Sequence, residues 1–237
     1  MVQHEILERS ALLDKTGSLL QAGWARQPLL DCNLEQTRVY RALRGFQTLR
    51  IKRWDYYGVT YPGGYFSATI ADLGYAGQAF VYTVDFATGS YTEDTVTIPF
   101  GKGVKLPRNS HEGGSRWSGK KATLAFDVEG SVRTLVVDWK DFGGEQLHAE
   151  LTFDASGEST VVAIPIGKRR FYYNRKINCM PVGGAIAIGD TVTTLDPATT
   201  SGTLDWGRGV WEYDSFWVWA SGSGFVGGRR VGINPVS

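Results

Sequence analysis

The sequence lacks the short motifs that mark most metal-binding and catalytic proteins. Its three histidines, His4, His111 and His148, lie far apart, and its two cysteines, Cys32 and Cys179, form no motif with them. No set of residues therefore has the spacing of metal ligands. The sequence also contains no phosphate-binding loop and no G-x-S-x-G nucleophile elbow. Neither a metal nor an organic cofactor is predicted.

An excess of charge and long apolar runs are absent as well. The chain has 25 Lys and Arg against 24 Asp and Glu, a net charge of +1. This balance gives no electrostatic basis for binding nucleic acid or an anionic membrane. No apolar run approaches the length of a membrane span, and residues 1–17 lack the apolar core of a signal peptide. Because both cysteines are expected to be reduced, we predict a soluble, cytoplasmic protein.

What the sequence has instead is the alternation of apolar and polar residues that is typical of β-strands. It runs through residues 65–73, 80–86, 122–128 and 146–153, and turn residues rich in glycine separate these segments. No helical period lies between them, as a parallel sheet would need. The pattern predicts an all-β fold, an antiparallel barrel or a barrel-like sandwich.

Residues 1–45 differ from the rest and are predicted to form an extended lead-in packed on the sheet. Residues 46–237 are predicted to form the β domain, which is large enough to bury a core. Near the end of the chain, residues 222–227 match G-x-G-x-x-G. Because Gly228, Gly232 and Pro235 exclude a following helix, we interpret this segment as a glycine-rich strand and not as a dinucleotide site.

Two segments predicted to be loops are basic, residues 101–121 and residues 168–176. The first carries six Lys or Arg against Glu112, and the second carries five with no acid. Solvated surface loops are the favoured interpretation, since charge runs are common on surfaces. The alternative is a site for an anion or a lipid headgroup at the mouth of a barrel.

The most informative segment is Asp205–Ala220, which contains four of the 8 tryptophans. Its odd-numbered aromatic residues would share one face of a continuous strand. They are Trp211, Tyr213, Trp217 and Trp219. Such a stripe fits the core of a barrel, and it fits equally well the wall of a pocket for a flat or polyunsaturated ligand.

Two aspartates are candidate catalytic acids. Asp205 lies three residues before Arg208, and in a tight turn the two could form an ion pair that keeps Asp205 ionised. Asp72 has the same parity as the apolar residues Phe66, Ala68 and Ile70. A carboxyl on an apolar face has a raised pKa and suits a general acid. For both aspartates, a purely structural role is the favoured interpretation.

Six motifs in order resemble the family catalogued as domain of unknown function 2804, from about Leu12 to Asn234. They are Gly17-x-Leu19 with Gly23-Trp24-Ala25-Arg26-x-Pro28-Leu29, Lys52-x-Trp54-Asp55-Tyr56-Tyr57, Ala71-Asp72-Leu73-Gly74-Tyr75, Tyr173-Asn174-x-Lys176, Met180-Pro181-x-Gly183-Gly184 and Asp205-Trp206-Gly207-Arg208-Gly209-x-Trp211-x-Tyr213. The family carries no settled activity.

That family is similar in turn to lipocalin-like proteins that include carotenoid hydratases and tocopherol cyclases. The resemblance therefore implies a β-barrel with a hydrophobic pocket, in which acids and aromatic walls act on isoprenoid or polyene chains. Relatives run on past the position of Ser237, so a shortened C-terminus and an incomplete second sheet are expected. The predicted ligand-binding residues are Trp54, Tyr56, Tyr75, Tyr173, Asn174, Arg208, Trp211, Tyr213, Trp217 and Trp219.

Three functions are compatible with these features. The first is a protein that encloses a hydrophobic ligand such as a lipid, isoprenoid or polyene. The second is an enzyme in which Asp72 or Asp205 protonates an alkene and aromatic rings stabilise the cation. This needs the acid and the rings to face one cavity. The third is a structural or partner-binding β protein whose aromatic residues are simply core. Binding ranks first, and the oligomeric state is left open.

Overall fold

The computed structural model describes residues 4–40, 44–212 and 214–235, and most of its regular structure is β-strand. Two short 3-10 helices in this part of the chain span Leu34–Gln36 and Arg44–Arg50. The strands are β1 Ser10–Ala11, β2 Gly23–Ala25, β3 Leu30–Asp31, β4 Lys52–Tyr61, β5 Gly64–Asp72, β6 Ala76–Asp85, β7 Tyr91–Pro99, β8 Gly113–Ser118, β9 Ala122–Glu129, β10 Val132–Phe142, β11 Glu145–Asp154, β12 Thr160–Gly167, β13 Arg170–Met180, β14 Val182–Ile188, β15 Thr191–Leu195, β16 Ser201–Val210, β17 Gly222–Val226 and β18 Arg229–Ile233.

The strands form two large antiparallel sheets. One has eight strands in the order β2-β12-β13-β16-β4-β5-β6-β7, and the other has six in the order β15-β14-β11-β10-β9-β8. The predicted antiparallel, all-β class is therefore confirmed. Within the described ranges, the two edge strands of each sheet do not pair with each other, so neither sheet closes. The fold is a barrel-like sandwich.

Short hairpins explain why neighbouring strands pair in chain order. The β4–β5 turn contains Gly63 with φ +94°, and the β9–β10 turn contains Gly130 with φ +60°. L-residues with a side chain rarely adopt this region, so glycine suits both turns. The turns keep β4–β5–β6–β7 and β9–β10–β11 adjacent within their sheets.

The hydrophobic core lies between the two sheets. Tyr57 on β4 contacts Phe126 on β9 and Phe153 on β11, with ring centroids 5.3 and 5.4 Å apart. Along β11, every second residue from Leu147 to Phe153 is apolar and buried, because successive side chains of a strand point to opposite faces. Among the described residues, the last one along the chain that belongs to this core is Val210.

The eight-stranded sheet has a second face, which points away from the six-stranded sheet. The 3-10 helix Arg44–Arg50 and the segment after β16 lie over this face. The β17–β18 hairpin contacts β13 and β16, and it confirms the prediction of a strand at residues 222–227. Both faces of the larger sheet are therefore partly covered. In the described part of the chain, no helix has the length and apolar character needed to cross a membrane.

Three local predictions are wrong. Residues 101–121 are not one loop, because β8 spans Gly113–Ser118. Residues 168–176 are not a loop, because β13 begins at Arg170. The aromatic segment is not one continuous strand, because β16 ends at Val210. Its neighbours end there as well: Val210 pairs with Phe171, and Gly209 pairs with Lys52, the first residue of β4. Beyond this point the chain has no adjacent backbone with which to continue the hydrogen-bonded ladder.

Candidate functional site

The candidate site is a groove on the second face of the eight-stranded sheet, with a volume of about 1360 Å³. We call it the aromatic groove. Its floor consists of side chains from β4, β5, β6, β12, β13 and β16. Its walls come from the 3-10 helix Arg44–Arg50 and from residues 211, 212, 214–217 and 219. Most of the lining is apolar, as in sites for small hydrophobic molecules.

Four aromatic rings meet at one end of the aromatic groove. Trp54 on β4 lies 6.3 Å from Tyr172 on β13 and 5.4 Å from Trp211, measured between ring centroids. Trp211 lies 5.6 Å from Tyr172 and 6.1 Å from Trp217. These separations are typical of interacting aromatic side chains. The rings come from three parts of the chain that are distant in sequence.

Tyrosines form a second aromatic group on the same floor. The hydroxyl of Tyr56 lies 2.6 Å from that of Tyr65 and 2.8 Å from that of Tyr82. Burial is the main cause that raises the pKa of Tyr56 far above its usual value, so its hydroxyl stays neutral. Trp219 packs edge-on against Tyr56, with ring centroids 5.4 Å apart.

The polar centre of the aromatic groove is an ion pair between Lys176 on β13 and Asp205 on β16. Asp205 also accepts hydrogen bonds from Trp54 Nε1 at 3.0 Å and from Asn174 Nδ2 at 2.6 Å. Both charged residues are buried. Burial lowers the pKa of Lys176, and the carboxylate of Asp205 opposes that effect. The Lys176 ammonium lies 5.1 Å from the centre of the Trp219 ring, within range of a cation–π contact.

A second amine, that of Lys52, lies on β4 two residues before Trp54 and also lines the groove. Lys52 Nζ is 4.1 Å from the ring centroid of Tyr75, which is exposed. Burial first, and then the neighbouring Arg50, lower the pKa of Lys52. The aromatic groove thus has amines at its centre and at its rim, and carboxylates at Asp205, Glu212 and Asp214.

The structure brings most of the predicted site residues together. Those that line the aromatic groove are Trp54, Tyr56, Tyr75, Asp205, Trp211, Trp217 and Trp219. Tyr213 lies outside the described residues. The odd-numbered tryptophans reach the groove although they do not share a strand, because the irregular segment after β16 folds over the sheet.

The other predicted residues lie elsewhere. Tyr173 and Arg208 point into the core between the sheets, where Tyr173 is 2% exposed and donates a hydrogen bond to the carbonyl oxygen of Leu30 at 2.9 Å. Asn174 is buried beside the groove and contacts its centre through Asp205. It also donates a hydrogen bond to the carbonyl oxygen of Trp206.

Asp72 does not line the aromatic groove. It ends β5, and its neighbours Ala71 and Leu73 are the residues that reach the groove. Asp72 forms an ion pair with Arg53 and accepts the backbone N–H of Gly74 at 2.8 Å. The structure therefore separates this acid from the aromatic rings that would have to stabilise a cation.

The expected ion pair between Asp205 and Arg208 is wrong. Both lie on β16, which is extended, so residues three apart point to opposite faces. Arg208 lies in the core, with Nη1 2.8 Å from a carboxylate oxygen of Asp55. Asp205 lies on the second face and pairs with Lys176 instead.

In this segment the sequence analysis selected Tyr173 and Asn174 as ligand-binding residues and missed Tyr172 and Lys176, which line the groove. The spacing in the sequence could have identified them, since Tyr172, Asn174 and Lys176 are two residues apart and therefore share one face of β13. The register completes the site, because Lys176 pairs directly with Asp205 across β13 and β16. No pattern within a single segment could reveal that register.

Within the described ranges, no group of three or more His, Cys, Asp or Glu is placed to hold a metal ion. Cys32 and Cys179 are free thiols in the structure. Cys32 is fully buried, and burial raises the pKa of its thiol to about 12.

These features define an antiparallel β-sandwich with an aromatic groove on the outer face of its larger sheet. A family model described as a domain of unknown function, DUF2804, matches residues 3–236, and the chain belongs to this family, as its motifs predicted. No curated protein matches the chain.

Among solved structures, the chain is similar to a Nitrosomonas europaea protein described as a putative AttH, with 16% sequence identity and a TM-score of 0.49. The match covers 73% of this chain and 56% of that one, so the chain spans little more than half of the length of that protein.

Proposed function

We propose that this protein binds a hydrophobic small molecule, of the lipid, isoprenoid or polyene class, in the aromatic groove. This is the role that the resemblance to lipocalin-like proteins implied. The observation that carries the proposal is the convergence of Trp54, Tyr172, Trp211 and Trp217 on one groove. An apolar surface of this extent is costly to leave in water.

The shape and chemistry of the groove favour a long ligand with few polar groups. A volume of about 1360 Å³ exceeds what a single small ring compound fills. Tryptophan and tyrosine faces suit flat or unsaturated chains. The ion pair of Lys176 and Asp205 supplies a donor and an acceptor for one hydroxyl or carbonyl group of the ligand.

The test is mass spectrometry of organic extracts of gently purified protein. The variant Trp217→Ala removes a wall residue that is 54% exposed, so the fold tolerates its loss. Phe86→Ala is the matched control, since Phe86 is also 54% exposed and lies outside the groove. We expect a stoichiometric hydrophobic compound in the wild type and in Phe86→Ala, and its loss from Trp217→Ala. A folded wild-type protein that neither carries nor takes up such compounds would contradict the proposal.

A second candidate function is acid-catalysed chemistry on the bound ligand. The observation that favours it is that Asp205 faces the same groove as Trp54 and Trp219. In this role Asp205 transfers its proton to an alkene carbon, and the aromatic rings stabilise the resulting cation. The contact with Lys176 opposes this role, because the carboxylate of Asp205 is already engaged in an ion pair.

The two candidates differ in what Asp205→Asn does. If the protein only binds, Asp205→Asn carries the same compound as the wild type, at the same or lower occupancy. If Asp205 protonates the ligand, the variant accumulates a different, unreacted compound. Identical masses in extracts of both proteins would contradict the enzyme candidate and leave binding unaffected.

A further inference from the structure

A second groove, of about 1290 Å³, lies at the end of the eight-stranded sheet that β2 and β12 form. It opens beside the loop of residues 155–159, which comes directly before Thr160, the first residue of β12 that pairs with β13. Lys176 and Tyr172 lie on the strand between the two grooves and line both. We call the second one the edge groove. Its inner wall is charged, whereas the lining of the aromatic groove is mostly apolar.

Two arginines form that inner wall. Arg133 comes from β10 and Arg175 from β13, so each sheet contributes one guanidinium. Both donate to the same acceptor, the carbonyl oxygen of Ser110, from Arg133 Nη2 at 2.7 Å and from Arg175 Nη1 at 3.3 Å. The shared acceptor places the two cations side by side. His111 follows Ser110 and is exposed at the mouth of the groove.

Neither arginine has a carboxylate partner among the described residues. Arg133 is 3% exposed, and its Nη1 donates a hydrogen bond to the hydroxyl of Tyr57 at 3.0 Å. The Nε atoms of Arg133 and Arg175 are buried and make no hydrogen bond. The nearby buried carboxylate, Asp55, is already paired with Arg208.

The other charged residues of the edge groove do not neutralise this pair. Its acids are Asp154 and Glu158, and neither forms an ion pair with a lining arginine in the described part of the chain. Two other cations of the groove are paired elsewhere: Arg26 with Glu5 and Lys176 with Asp205. The inner wall therefore holds two unneutralised positive charges.

Such an arrangement is costly without a ligand. A buried charge without a counter-ion destabilises a fold, and two adjacent cations repel each other. Burial, followed by the proximity of Arg133, lowers the pKa of Arg175 to about 10. An anion between the guanidinium groups would offset both effects, since planar guanidinium groups bind carboxylate and phosphate oxygens well.

We propose that Arg133 and Arg175, with His111 at the mouth, form a site for an oxyanionic group, a phosphate or a carboxylate. This site is separate from the aromatic groove and does not depend on the function proposed for it. The sequence had suggested an anion site as one alternative for residues 168–176, which were predicted to form a loop. In the structure, Arg175 of that segment lies on the inner face of β13 instead.

The test is to titrate the protein with inorganic phosphate at constant ionic strength and to measure the heat of binding by isothermal titration calorimetry. Sodium chloride alone is the reference, and sodium acetate distinguishes a carboxylate site from a phosphate site. Arg175→Gln removes the half-buried cation. Arg26→Gln is the matched control, because Arg26 lines the same groove but is exposed and paired with Glu5. Trp217→Ala tests independence from the aromatic groove.

We expect saturable binding of phosphate or acetate to the wild type, weakened about tenfold or more in Arg175→Gln, as for loss of one charge-assisted contact. Arg26→Gln and Trp217→Ala should bind as the wild type does. His111→Ala, an exposed position that leaves the fold unchanged, should weaken binding by a smaller factor. Two results would overturn the proposal: no oxyanion binding beyond the chloride reference, or unchanged binding in both Arg175→Gln and His111→Ala.

Discussion

The Lys176–Asp205 pair shows how single residues shape the aromatic groove. Both side chains are buried beneath aromatic rings, so they lose much of their hydration. The loss is offset by their mutual contact and by the hydrogen bonds that Trp54 and Asn174 donate to Asp205. A buried pair of this kind often contributes little net stability, but breaking it is costly because one charge remains unpaired.

A double-mutant cycle tests this residue-scale account. Asp205→Asn leaves the Lys176 ammonium buried without a counter-charge, so we expect the free energy of unfolding to fall by about 3 kcal/mol. Combining Asp205→Asn with Lys176→Met removes both charges, so we expect the double variant to be more stable than Asp205→Asn alone. Urea unfolding followed by tryptophan fluorescence measures all variants.

The exposed pair Arg116–Asp127 provides the control for that cycle. Its side chains are about half exposed, at 48% and 49%, so Asp127→Asn should change stability much less than Asp205→Asn. Equal losses at the two sites would show that desolvation does not govern the Lys176–Asp205 pair.

At the scale of elements, the hairpin turns are the parts that sequence patterns predict best. Glycine-rich turns were expected to separate the strands, and in the structure Pro62-Gly63 connects β4 to β5 and Gly130 connects β9 to β10. Local rules suffice here, because a turn depends on the backbone preferences of two or three consecutive residues. The extent of β16 and β13 could not be predicted in this way, since each strand ends where its neighbours stop providing hydrogen bonds.

Gly63→Ala tests the role of backbone conformation in the β4–β5 turn. A Cβ atom at Gly63 meets no atom within 4 Å, so any effect comes from the backbone and not from a clash. Because φ is +94° there, we expect alanine to lower the free energy of unfolding by about 1 kcal/mol. Gly157→Ala is the control: its site is equally open and has no positive φ, so no loss is expected. Thermal unfolding followed by circular dichroism compares the two.

At the scale of the whole molecule, residue types pointed to a cluster of aromatic side chains but not to its geometry. Trp211, Trp217 and Trp219 do converge on one groove, yet they do so because their segment folds over the sheet. Asp72, which has the parity of an inward residue, lies away from the rings, while Asp205 lies among them. Which face of a sheet a residue occupies follows from alternation, but what covers that face depends on long-range packing, which no local pattern contains.

The two sheets form the core, and the residues after Val210 cover the aromatic groove, so the two parts can be tested separately. Because none of the described residues beyond Val210 belongs to the core, a variant that ends at residue 210 should still fold cooperatively. It loses Trp211, Trp217 and Trp219, so the floor around Trp54 and Tyr172 becomes exposed. We expect native-like circular dichroism, stronger binding of a fluorescent hydrophobic dye than in the full chain, and loss of the extracted compound. Phosphate binding should persist, since Arg133, Arg175 and His111 all remain. A truncated chain without a cooperative transition would show that the C-terminal segment is required for the fold itself and does not simply cover the groove.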